Sequence, residues 1–317
     1  MNYKNVKIIF MGTAEFGIPT LNILNDIFNL HTIITNFDKP SGRGLKIKFS
    51  PVKEFAIKNN INCLQPKNLK NDEFVEKIKS IDPDFIIVVA FRMIPESIWR
   101  IPKYGTINLH ASLLPDYRGS APINWVIINN EKTTGVTTFF IDDKIDTGDV
   151  LLQDEIIIDK TINAGELHDK LKFIGGLTVE KTIKGILNNK IVRKKQKHRT
   201  NLNTAYKFNK ENIKIDWNQN CIDIYNKIRG LNPYPGAKTS FITKSGETKN
   251  SIFYESEYLL ENHNLENGKL IHVKGKIKIA CNDGFIMINN LKIEGKRRMD
   301  TKSLLNGFQV EKYEKVK

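Results

Sequence analysis

An alternation in the first half of the chain limits its fold more than any other feature. Short continuous apolar runs, rich in β-branched and aromatic residues and bounded by turn residues, occur at 6–11 (VKIIFM), 32–35, 85–90 (FIIVVA), 106–110 and 136–141 (VTTFFI). Runs of that length and composition read as strands. Between them, segments such as PTLNILNDIF and NDEFVEKIKSI repeat apolar residues at helical spacing and carry charge on the other face. Strands that are apolar throughout, rather than at alternate positions, must be covered on both sides. The pattern therefore predicts a doubly wound, mostly parallel α/β sheet of the Rossmann-like kind.

After residue 150, LLQDEIIID adds a strand, and NAGELHDKLKFIGGLTVEKTIKGIL keeps helical periodicity to about Leu187. The character then changes. Residues 190–200, KIVRKKQKHRT, carry six basic and no acidic side chains, so 190–206 reads as a basic linker. Further on, a short helix (CIDIYNKIRG) leads to NPYPGA, which two prolines and a glycine keep irregular. Short alternating runs follow, TSFIT, NSIFYESEYL, KLIHVKGKIKIACN and GFIMINNLKIEG, with Gly and Asn turns. These predict a small antiparallel, OB-like β-barrel. The expected organisation is a catalytic domain at 1–189, the linker at 190–206 and the barrel at 207–317.

Composition matters where the charge is unevenly spread. The formal charge of +14 is not shared along the chain: residues 1–189 hold 23 basic and 22 acidic side chains, while 201–317 hold 20 and 13. The excess lies in the linker and barrel, which points to a polyanion such as nucleic acid or an anionic membrane surface. No run approaches the roughly 20 apolar residues that span a bilayer, and the N-terminal apolar run meets Glu15 too soon for a secretory signal. Cys63, Cys221 and Cys281 are odd in number and lack CxxC spacing, which supports neither a disulfide framework nor a zinc site. A soluble cytoplasmic protein without metal is expected.

Binding sites in open α/β sheets lie beyond the carboxyl ends of the strands. The loop Gly12-Thr13-Ala14-Glu15-Phe16-Gly17 lacks the middle glycine of a dinucleotide fingerprint and reads as a tight strand-to-helix turn. In the run ending at residue 110, Asn108 and His110 are two apart and project to one side, offering an amide donor and an imidazole. The loop 141–149 holds Asp142, Asp143, Asp146 and Asp149 without EF-hand spacing. Its strand should lie near the one ending in His110, where a carboxylate could accept from the imidazole and fix its tautomer. A packed core histidine and a solvated acidic turn remain the alternatives at this point.

The segments NLHASLLPDYRGSAPINW, GVTTFFIDDKIDTGDVL and NPYPGA, with MGTAEFGIP at the start, DKPSGRG after the second strand and KIEGKRRM near the end, resemble the methionyl-tRNA formyltransferases along the whole chain. The combination Asn-x-His, Ser-Leu-Leu-Pro and Asp-x-Gly-Asp is that of the folate-dependent formyltransferase superfamily. The C-terminal domain and the GRG loop narrow it to the tRNA enzymes. The resemblance implies transfer of the formyl group of 10-formyltetrahydrofolate to the amino group of methionine on initiator methionyl-tRNA. It makes Asn108, His110 and Asp146 the catalytic trio, and Ser112, Leu113, Leu114 and Pro115 the segment that holds the folate. The folate is a co-substrate, and no tightly bound cofactor is expected.

Such acyl transfer passes through a tetrahedral intermediate. Asn108 suits the oxyanion, His110 the amine's proton, and Asp146 can orient His110 and favour its protonated form. For tRNA, the resemblance implicates Arg43, Lys46 and Lys48 in the insert KPSGRGLKIK. Charge adds Lys194 and Lys195 of the linker and Lys292, Lys296, Arg297 and Arg298 near the end. A monomer is expected. One departure stands out: Ala90-Phe91-Arg92 occupies the place of a segment close to Ala-Tyr-Gly, putting an arginine near the folate pocket. The competing readings are a sugar-nucleotide N-formyltransferase, a nicotinamide-dependent oxidoreductase and a non-catalytic RNA-binding module.

Overall fold

In the computed structural model, residues 2–41, 46–197, 200–273 and 275–317 are described. Seven strands build the first sheet: β1 (Lys7–Gly12), β2 (Asn29–Ile34), β3 (Asn62–Leu64), β4 (Phe85–Val89), β5 (Thr106–His110), β6 (Thr133–Phe140) and β7 (Val150–Ile157). Their order is β7-β6-β5-β4-β1-β2-β3. Pairing is parallel from β3 through to β5, and β6 runs antiparallel to β5. The apolar runs of β1 and β4 occupy the centre, where Ile8, Ile9, Phe10, Met11, Phe85, Ile86, Ile87, Val88 and Val89 are all buried. Each such side chain contributes about 1.5–3 kcal/mol by leaving water.

Helices α1 (Ile18–Ile27), α2 (Pro51–Lys58) and α3 (Asp72–Ile81) follow the first strands. Their starts are written locally. Ser50 Oγ accepts from Lys53 N at the head of α2, and Asn71 Oδ1 accepts from Phe74 N at the head of α3, caps that contribute about 1 kcal/mol each. α3 buries Val75, Ile78 and Ile81 in a cluster with Ile9, Ile86 and Val88. The strand order reverses between β1 and β4, which places the crevice expected of an open α/β sheet at Gly12 and Ala90. A Cβ on Gly12 would lie 2.6 Å from Val89 O, so this glycine serves the close approach of two strand ends.

The second sheet comprises β8 (Ala237–Thr243), β9 (Thr248–Leu260), β10 (Leu270–Val273), β11 (Lys276–Cys281), β12 (Gly284–Ile293) and β13 (Tyr313–Val316), in the order β10-β11-β12-β9-β8-β13 with antiparallel neighbours. It nearly closes into a barrel: Val316 N donates to Gly268 O at 2.9 Å, just ahead of β10. Alternation puts Phe241 and Phe253 inside, 6.0 Å apart and edge to face, with Phe308 and Tyr313 against Phe241. Trp217 joins them and finds a partner for its indole N–H in Thr239 Oγ1 at 3.0 Å.

The chain divides into two compact units. One holds residues up to 119, 134–156 and 168–204, and the other holds 120–133, 157–167 and 205–317. The second unit thus includes α4 (Pro122–Ile128) as well as α6 (Cys221–Leu231), joined by Asn124 Nδ2 donating to Gly230 O at 2.7 Å. α5 (Ala164–Leu187) is the long helix that the periodicity predicts.

Cys221 and Cys281, which sequence spacing does not connect, touch in the barrel with their sulfurs 3.0 Å apart. Asp283 Oδ1 accepts from Cys221 N at 2.7 Å, and the three residues bring possible metal-ligand atoms within 4.8 Å of one another. Two thiolates at about 2.3 Å from one tetrahedral ion would stand about 3.7 Å apart, and a closed structural site takes a fourth ligand. The observed separation is shorter than that spacing, and either thiol could donate to the other. Burial pushes both thiols above their ordinary range.

Candidate active site

β5 ends at His110, and the alternation of side chains along it sets Asn108 and His110 on one side of the strand. Across the antiparallel ladder, Asn108 stands opposite Phe139 and His110 opposite Thr137. His110 is buried, and its Nε2 lies 2.8 Å from Tyr117 O. A carbonyl only accepts, so Nε2 carries the proton in this contact and Nδ1 is left for chemistry. Tyr117 has φ of +59°, a conformation uncommon for a large side chain, and it delivers that carbonyl. Nδ1 of His110 faces Asp146 Oδ2 at 3.8 Å, too long for a hydrogen bond and within ion-pair reach. The amide of Asn108 is partly exposed and, among the described residues, has no hydrogen-bond partner.

The acidic loop is built to present Asp146. Asp142 is engaged inside the loop, where its carboxylate accepts from Thr147 Oγ1 at 2.7 Å and from Lys144 N at 3.1 Å. Phe140 N donates to Asp149 O and closes the loop at its base. A Cβ on Gly148 would fall 1.7 Å from Phe140 O, so only glycine permits this closure. Asp146 itself takes φ of +54°, and its Oδ2 accepts from Gly119 N at 2.9 Å. The spacing Asp-x-Gly-Asp thus combines one aimed carboxylate with one close backbone approach.

The segment Ser112-Leu113-Leu114-Pro115 is held by Thr137, a buried residue that the sequence reading missed. Its hydroxyl donates to Ser112 O at 2.6 Å and accepts from Leu114 N at 3.1 Å. Gln153 Nε2 donates to that hydroxyl and to Leu114 O, both at 2.9 Å. Ser112 Oγ donates to Asp116 O, and the Leu114–Pro115 peptide is cis. Leu114 packs with Phe139 and Val150, while Leu113 and Pro115 remain partly exposed. Thr137 carries no sequence signal because it sits inside an apolar run as an ordinary β-branched residue.

Arg92, the departure noted above, has its guanidinium committed to the carbonyls of Pro66 and Lys67. Of the basic residues put forward for tRNA, Lys48, Lys194, Lys195 and Arg297 are exposed and Lys296 is partly exposed. Arg43 lies outside the described residues, as does the side chain of Lys46; the backbone of Lys46 is in a two-stranded ribbon with Lys39–Ser41. Arg298 is not free: it pairs with Glu255 at 2.8 Å, donates to Asn290 and lies 4.1 Å over the Tyr254 ring. The stretch expected to be a linker runs against the first unit, with Lys194 N and O bonded to Val150 and Asn203 O accepting from Tyr117 N. Among the described residues, no helix is long and apolar enough to cross a membrane.

Comparison with known proteins adds to this geometry. The formyl transferase model matches residues 6–182, and the model for the formyl transferase C-terminal domain matches 207–309. The chain is 50% identical over 306 residues to the methionyl-tRNA formyltransferase of Flavobacterium johnsoniae, covering 96% of this chain and 97% of that one. It is 42% identical over 316 residues to the enzyme of the same name from Bacteroides thetaiotaomicron, covering 98% of each. Among solved structures, the sugar 3N-formyl transferase WlaRD, crystallised in the presence of dTDP and 5-N-formyl-THF, is 25% identical with a TM-score of 0.63 over 92% of this chain and 99% of that chain. With both domain models matched and close relatives along nearly its full length, the chain belongs to the formyl transferase family.

Proposed function

We propose that this protein transfers the formyl group of 10-formyltetrahydrofolate to the free amino group of methionine on initiator methionyl-tRNA, giving N-formylmethionyl-tRNA for translation initiation. The observation that carries the chemistry is the unpartnered Asn108 amide beside a His110 whose Nε2 is already engaged. The acceptor follows from the relatives, which are named for that reaction and match over 96% or more of this chain.

In this reading Asn108 donates to the oxygen of the formyl carbon as the amine adds to it, where one well-placed donor is worth on the order of 10² to 10³ in rate. Nδ1 of His110 takes the proton that the amine loses, and Asp146, 3.8 Å away, balances the charge that arrives there. His110 then returns the proton to the folate nitrogen as the old carbon–nitrogen bond breaks, so no covalent enzyme intermediate forms. Ser112, Leu113, Leu114 and Pro115 hold the folate, which exchanges as a co-substrate, and the bonds from Thr137 and Gln153 support their shape.

In this reading formyl transfer belongs to residues 1–189, and tRNA is met by the KPSGRGLKIK insert of that part together with the linker 190–206 and the barrel 207–317. Arg43, Lys46, Lys48, Lys194, Lys195, Lys296 and Arg297 meet phosphates, and Arg298 contributes less because Glu255 already pairs with it. The protein works as a cytoplasmic monomer. The test is formylation by the purified protein, with 10-formyltetrahydrofolate, of methionine-charged initiator tRNA and of an amino-sugar nucleotide in parallel. Product on the charged tRNA is expected. Product on the sugar alone would overturn the proposed acceptor and favour the chemistry for which WlaRD is named.

A further inference from the structure

Gln196 lies in the basic stretch between Lys195 and Lys197, where a lone amide draws no notice. Its side chain is half-buried and makes four hydrogen bonds. Oε1 accepts from Nε and Nη2 of Arg118 at 3.1 and 2.6 Å, and Nε2 donates to the carbonyls of Asp146 and Gly148, both at 2.9 Å. The two ends cannot be exchanged. A flipped amide would set its N–H groups against guanidinium donors and its oxygen against two carbonyls. Both N–H groups and both lone pairs are in use.

The partners make the contact informative. Asp146 is the residue whose carboxylate faces His110, and Gly148 is the residue whose missing Cβ lets that loop close. Arg118 precedes Gly119, whose N–H holds Asp146 Oδ2 at 2.9 Å. One amide therefore ties together the two segments that aim the carboxylate, by the backbone on one side and through Arg118 on the other.

We propose that Gln196 is a positioning residue for formyl transfer, clamping the 146–148 backbone to Arg118 so that the Asp146 carboxylate stays at Nδ1 of His110. The role of Asp146 in turnover rests on the function proposed above, whereas the clamp itself does not. Gln196→Leu removes all four bonds. Gln196→Glu keeps an acceptor for Arg118 and loses the donors to Asp146 and Gly148, so it should be nearly as impaired.

The experiment uses the full chain and two readouts. In hydrogen exchange, amides of residues 142–149 should exchange faster in both variants than in the wild type, with the rest of the first unit unchanged. In formylation of charged tRNA, kcat should fall about 10- to 100-fold with KM for the folate within a factor of about two, and its pH dependence should change, as for loss of a group that orients a reacting one. Adding Gln196→Leu to Asp146→Asn should then cost no more than Asp146→Asn alone, because both act through one carboxylate. Unchanged exchange in the loop, unchanged kcat in Gln196→Leu, or losses that multiply in the double variant would each overturn the clamp. A wild-type protein inactive on charged tRNA overturns the function instead, and the exchange readout then decides the clamp by itself.

Discussion

In the first unit the polar residues around the end of β5, Asn108 apart, are buried or half-buried and tied to named partners: His110 to Tyr117, Asp146 to Gly119, Thr137 to Ser112 and Leu114. In the barrel the basic residues of interest are on the surface, and of Lys296, Arg297 and Arg298 only Arg298 has a side-chain partner among the described residues. The contrast separates two ways of using a side chain. A buried bonded group has one replacement-intolerant geometry, because removing its partner leaves a polar atom unsatisfied. An exposed cation adds a modest, salt-sensitive increment that a neighbour can supply as well.

The largest effect that would sharpen this contrast is in His110→Ala, where turnover should drop by on the order of 10³ while tRNA affinity stays within a factor of about two. A matching loss of tRNA affinity in a filter-binding titration would break it. Next is Phe253→Ala inside the barrel, where loss of a buried ring against Trp217 and Phe241 should cost about 3–5 kcal/mol in urea unfolding. Exchange protection in β1 and β4 should persist at concentrations where the barrel has opened. If both regions lose protection together, they share one cooperative transition and the division into two regimes fails.

A smaller effect is expected from Arg297→Ala and Lys296→Ala, each lowering tRNA affinity a few-fold and the slope of log affinity against log salt by about 1, with kcat at saturating tRNA unchanged. Arg298→Ala should change the slope least, since its charge is already paired. Equal slopes for all three would mean that the pairing to Glu255 is irrelevant.

The smallest effect is in pH. Thiols titrate near about 8.5 in an unfolded chain, and burial raises Cys221 and Cys281 above their ordinary range. Above that pH the unfolded barrel releases protons that the folded one keeps, so barrel stability should decline as pH rises toward the folded values. Asp38 in the first unit behaves oppositely. Hydrogen bonds from Lys53 and Gln65 hold its carboxyl below the usual range, so its contribution is present above about 3.9 and lost as pH falls through the folded value. Thermal melts of a Cys221→Ala/Cys281→Ala variant should lose the alkaline decline and keep the acid one.

Much of the architecture is legible in the residue pattern because strands and helices bury their apolar positions with fixed periods. The runs at 85–90 and 106–110 correspond to β4 and β5, and the four alternating runs near the end correspond to β8, β9, β10 with β11, and β12, whereas β13, which brings the barrel close to closure, lies outside them. The placement of Asn108, His110 and the 141–149 loop is legible for the same reason, since strand ends and their pairing follow from the pattern. What escapes is the set of contacts made between distant residues of unremarkable type. Nothing in a threonine at 137, a glutamine at 196 or cysteines sixty positions apart announces a partner, because hydrogen bonds and sulfur contacts leave no period in the sequence.

The interleaving of the two units has a consequence for how such a chain can be rebuilt. Residues 120–133 and 157–167 belong with 205–317, with Asn124 bonded to Gly230 and Ile162 O accepting from Arg229. A cassette that begins near residue 205 would leave those groups behind without their complements. Recombining this barrel with another transferase would require five matched crossovers, not one, because two of its three segments are internal, and a library cut only at the basic stretch should yield few folded chimeras.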